Sequence, residues 1–130
     1  MLNLGNPRIA EGLHITKLAL PAIQEKTRKS QVRLLVLLIP TKDAAYAPLI
    51  GSLQEDYRRL HDAEGRVRTD LISYCQSQHI QCLDLLPRLS QALQTGQRIF
   101  PEDMDGHPPT AGHALIAQVI RESLDKPESP

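Results

Sequence analysis

Residues 33–40 read Arg-Leu-Leu-Val-Leu-Leu-Ile-Pro, and no other stretch constrains the fold as much. Six consecutive apolar residues between an arginine and a proline leave no polar face. That is the pattern of a buried parallel strand, apolar on both sides. Such a strand needs helices above and below it, and the flanking sequence is helical in pattern. Residues 7–29 carry Ile9, Leu13, Leu18, Leu20 and Ile23 mostly at helical spacing, with Pro21 expected to split or kink the helix. After a loop over 41–48, residues 49–60 and 67–78 read as helix, with Gly65 as a break or kink between them.

A second short strand is expected over Ile80-Gln-Cys-Leu-Asp-Leu-Leu86, with Asp84 capping the helix that follows. Pro87 suits a first helical position, Leu89 and Leu93 form the apolar stripe, and Gly96 closes the helix. Residues 97–110 are a loop. Thr110 is expected to cap a last helix with the stripe Leu115, Ile116, Val119, Ile120 and Leu124, and residues 126–130 to fray. Alternation of strands and helices predicts a single α/β domain over 1–130 with parallel strands. Only two strands are evident, fewer than a doubly covered sheet requires.

Composition narrows the function. Fifteen Lys and Arg balance fifteen Asp and Glu, so the chain lacks the basic excess with which nucleic-acid binders displace counterions. Arg58, Arg59, Arg66 and Arg68 alternate with Glu55, Asp56, Asp62, Glu64 and Asp70, as on a solvated helix face. Two cysteines, Cys75 and Cys82, are too few for a disulfide framework or a cysteine-based zinc site. No apolar run approaches the ~20 residues of a membrane span, and the N-terminus has no basic flank or extended apolar core. The expectation is a cytoplasmic protein with no membrane and no nucleic-acid partner. With one Phe and no Trp, its core is mainly aliphatic.

The chemistry-bearing residues concentrate in the stretch 100–113, Phe-Pro-Glu-Asp-Met-Asp-Gly-His-Pro-Pro-Thr-Ala-Gly-His. Asp105 stands two residues before His107 with Gly106 between, a spacing that lets the carboxylate fold back onto the imidazole and fix its tautomer. Asp and Gly are equally the residues of an ordinary surface turn. Asp105, His107 and His113 could also offer metal ligands, although His113 at a helix start more simply packs or caps there. Lys42 and Tyr46 follow the first strand's carboxyl end, where open α/β sheets bind ligands; otherwise they are a solvated lysine and a half-buried tyrosine. His14, His61 and His79 lack convergent neighbours in sequence and read as surface or partly buried.

The stretch Asp105-Gly-His107-Pro-Pro-Thr-Ala-Gly-His113-Ala-Leu-Ile-Ala117 resembles the C-terminal block of SGNH/GDSL-type hydrolases. Leu34 to Tyr46, with its Ile-Pro-Thr-Lys segment, and Ile80 to Pro87 resemble the preceding strands of one bacterial branch, so the likeness spans residues 7–124. It implies part of a flavodoxin-like three-layer sandwich and a serine esterase or acyl-transfer mechanism without a cofactor. His107 would be the general base and Asp105 its orienting carboxylate. In some members the carboxylate stands three residues before the histidine, where this chain has Met104; Asp103 is the reserve partner.

The family's Gly-Asp-Ser-Leu and Gly-x-Asn-Asp blocks do not occur. Gly51-Ser52-Leu53 imitates the first without its aspartate and falls in a predicted helix, which argues against Ser52 as nucleophile. The resemblance therefore implies a truncated domain, inactive alone, that carries base and carboxylate while the serine lies outside these 130 residues. The missing part accounts for the shortage of strands. A non-catalytic α/β interaction module is the alternative. Either form would self-associate or complete a partner chain through exposed apolar sheet edges.

Overall fold

The computed structural model describes residues 6–52, 54–103 and 106–125. The elements run α1 (Pro7–Lys29), β1 (Leu35–Leu38), α2 (Lys42–Tyr46), a 3-10 turn (Ala47–Leu49), α3 (Glu55–Ser77), β2 (Gln81–Asp84), α4 (Leu86–Gln94) and α5 (Thr110–Leu124). The two strands pair in one parallel sheet, so the fold is a helix-dominated α/β arrangement. No helix among the described residues is long and apolar enough to cross a membrane. The chain divides into two compact units. One takes in Met1–Leu37 and Leu53–Leu83, the other Leu38–Ser52 and Asp84–Pro130.

The first unit holds α1, α3 and most of the sheet. Asn6 caps α1, its side chain accepting from the Arg8 N–H at 2.9 Å, and Pro7 occupies the first turn. α1 runs through Pro21 without the expected split. Proline has no N–H for the carbonyl four residues earlier, that of Lys17, and the Tyr74 hydroxyl on α3 donates to this carbonyl instead, at 2.6 Å. Ile9, Leu13 and Leu20 are half-buried, but Leu18 and Ile23, expected in the same stripe, are exposed.

α3 likewise passes Gly65 unbroken. A helical glycine costs only about 1 kcal/mol relative to alanine, which long helix-forming flanks override. The solvated face is as expected at its N-terminus, where Glu55 pairs with Arg58 and Arg59. Among its described residues, Ala63, Cys75 and Ile80 are the buried apolar ones. All four residues of β1 are only half-buried, so the strand is less enclosed than its composition predicts. Two strands do not make a sheet wide enough to bury both faces.

Three helices end in the same way. After α1, α3 and α4 the chain enters the left-handed region at Gln31 (φ 56°), His79 (φ 53°) and Gly96 (φ 81°). The next N–H returns to the helix each time: Val32 to the Thr27 carbonyl, Ile80 to that of Cys75, and Gln97 to that of Ala92. These are Schellman closures, two of them built without the glycine that the conformation favours. Gln24 on α1 donates to the His79 carbonyl at 3.0 Å, fastening α1 to the second closure.

The second unit contains most of the core: Ala44, Ala45, Leu85, Leu89, Ala92, Leu93, Ile99, Phe100 and Val119. Asp84 does not take the cap of α4 that the sequence predicts: Leu85 stands there without a side-chain cap bond, and the Asp84 carboxylate, one residue earlier, accepts from the Leu86 N–H at 3.1 Å. Ser90 on α4 is buried and satisfied, donating to the Ala45 carbonyl at 3.1 Å. Thr110 does not cap α5. It is the first helical residue, and Pro109 stands at the cap without a side-chain bond.

Candidate functional site

The site is built on α2, which follows β1 by three residues. Thr41 caps α2, its hydroxyl accepting from the Ala44 N–H at 3.2 Å. That start buries Ala44 and Ala45 against the core and turns Lys42 and Tyr46 toward the 97–109 loop. The Lys42 ammonium donates to the carbonyls of Pro101 (2.5 Å) and Asp103 (2.7 Å). The Tyr46 ring meets Phe100 at 6.1 Å between centroids, tilted by 48°. Lys42 is thus half-buried and committed to the loop, not a solvated lysine. Tyr46 is half-buried, as its ordinary reading has it.

The loop is fixed at both ends. Ile99 and Phe100 are buried at its entry. At its exit, Gly112 in the first turn of α5 lies so close to the Ile99 carbonyl and the Pro108 ring that a Cβ would overlap both. The glycine of the Gly-His pair therefore serves close packing. Gly106 has no such close neighbour: a Cβ there would meet nothing within 4 Å among the described residues.

Between these anchors, His107 stands exposed in a bend and is hydrogen-bonded or otherwise engaged, as is Asp103. Asp105 and Met104 lie outside the described residues, and so does the 126–130 tail. Glu102 pairs with Arg98 at 3.2 Å on the surface. His113 is exposed on α5. Among the described residues no three His, Cys, Asp or Glu side chains converge as a metal site requires.

Ser52 is not in a helix, contrary to expectation. It lies exposed in a bend between the 3-10 turn and α3, because α3 begins only at Glu55. His14 and His79 are exposed, and His61 is partly buried beside Asp62 at 3.6 Å. Neither cysteine forms a disulfide; Cys75 is buried and Cys82 half-buried.

Sequence reasoning misses two anchors. Lys42 is visible as a cation after a strand, but its acceptors are backbone carbonyls some 60 residues away, which no side-chain pattern marks. Phe100, the chain's one phenylalanine, is the available signal for the other. Comparison with family models, curated proteins and solved structures found no match to the chain.

Proposed function

We propose that the chain is the base-bearing part of an SGNH-type ester hydrolase or acyl-transfer domain, folded as a portion of a flavodoxin-like three-layer sandwich. His107 is the general base. Asp105 orients its imidazole and stabilises the imidazolium. A serine and its oxyanion donors come from polypeptide outside these residues. The His107 ring takes the serine proton as the oxygen attacks the ester carbonyl, then returns it to the departing alkoxide; water reverses the sequence to release the acid. The observation that carries this reading is the Lys42 tether. Its bonds to the Pro101 and Asp103 carbonyls hold the residues shortly before His107 in the chain to the segment following β1's carboxyl end. Open α/β sheets keep their reactive groups at that edge.

Hydrolysis of p-nitrophenyl acetate tests the assignment. A base without a nucleophile gives slow turnover with no acyl-enzyme burst. The rate falls several-fold in His107→Ala and Asp105→Asn, falls partly in Lys42→Met, and is unchanged in Ser52→Ala and His14→Ala. A burst abolished by Ser52→Ala, or a rate indifferent to His107, overturns the reading.

A further inference from the structure

α1 has two unlike sides. Lys17 and Gln24 bind α3 and its closure, while Glu11, Ile15, Leu18, Ala22 and Lys26 are all exposed. These five positions, spaced 4-3-4-4, form one seam along the helix, as in heptad repeats. Ile15 is 55% exposed and Leu18 62%, although both are large aliphatics at the seam's centre. Glu11 and Lys26, at its ends, have no ion-pair partner among the described residues.

We propose that this face binds a second copy of the chain, with the two α1 helices antiparallel. If Glu11 faces Lys26 of the other copy, Ile15 faces Ala22, a large residue against a small one, and the two Leu18 side chains meet beside the twofold axis. Twofold symmetry repeats every contact. A parallel pair would instead set Glu11 against Glu11 and Lys26 against Lys26, and charge therefore selects the antiparallel arrangement. The outermost positions, Arg8 and Lys29, are like-charged across the pair, but Lys29 is held by Glu25 of its own chain at 3.3 Å. The inference does not depend on the assignment of His107, and it places self-association on α1 instead of the sheet edges.

Sedimentation velocity over a micromolar concentration series tests it. The wild type dimerises, and Leu18→Glu is monomeric. Glu11→Lys and Lys26→Glu each weaken the homodimer about tenfold by facing like charges. An equimolar mixture of those two single variants restores dimerisation, because each charge then meets its opposite. Restoration in the mixture also shows that both variants are folded. A monomeric wild type, a dimer indifferent to the charge reversals, or a mixture no tighter than its components overturns the proposal.

Discussion

Tyr74 donates its hydroxyl to the Lys17 carbonyl at 2.6 Å, the acceptor that Pro21 leaves without a helical N–H. The bond links a proline defect in one helix to a side chain 53 residues later. Tyr74→Phe keeps the ring under the Lys17 ammonium, which lies 5.4 Å from its centroid, and removes only the donor. It is expected to destabilise the chain by about 1.5 kcal/mol, the cost of a part-buried acceptor left unpaired. In a Pro21→Ala background the backbone N–H regained at that position serves the carbonyl, and the same substitution costs less than about 0.5 kcal/mol. Urea denaturation of the four proteins measures the coupling; equal costs in both backgrounds refute the compensation.

Gly112 admits no Cβ without displacing the Ile99 carbonyl or Pro108. Gly112→Ala is therefore expected to destabilise by about 1–3 kcal/mol despite alanine's better helix propensity. Hydrogen exchange should quicken at 98–109 before it does in α3. A neutral or stabilising Gly112→Ala contradicts the close approach.

His79 and Gln31 occupy the left-handed region without being glycine. Replacement by glycine removes roughly 1–2 kcal/mol of strain and returns roughly 0.5–1 kcal/mol of chain entropy. Each substitution should therefore stabilise by about 0.5–1 kcal/mol, read as a raised urea midpoint at constant slope. The Gln24 bond to residue 79 persists, since its acceptor is backbone. Loss of stability in either variant would count against the closure geometry.

Arg28, and then Lys29, hold the Glu25 carboxyl below its ordinary value of 4.5. A lowered folded-state pKa means that the contribution is complete above the ordinary carboxylate range. It fades as pH falls through that range toward the lowered value. Carboxyl carbon shifts should place the Glu25 midpoint lower in the native chain than in urea. Arg28→Ala should narrow the gap, and identical midpoints would show that the ion pair contributes nothing.

Apolar patterning makes the strands, α4 and α5 legible: the unbroken run at 34–39 contains β1, and Leu89 and Val119 are buried on faces that local sequence defines. Single-residue breakers mislead. Pro21 and Gly65 both lie inside continuous helices: the first is repaired by Tyr74 from a distant helix, and the second is too small a penalty to end one. Thr110 has the chemistry of a cap, yet the helix starts on it. For the site, the loop is legible as a cluster of acids and histidines. The Lys42 and Phe100 anchors that locate it are not, since they depend on tertiary contacts to backbone and ring.

The pairing of Asp105 with His107 is the centre of the proposed chemistry, and imidazole nitrogen NMR at about pH 9, where histidines are neutral, measures it. An orienting carboxylate holds the proton on Nδ1 and leaves Nε2 free to accept from a serine. The wild type should show His107 mainly in this tautomer, reverting in Asp105→Asn to the Nε2-protonated form usual for an unpaired histidine, with His14 unchanged in both. A His107 that is Nε2-protonated in the wild type, or indifferent to Asp105→Asn, would contradict the pairing.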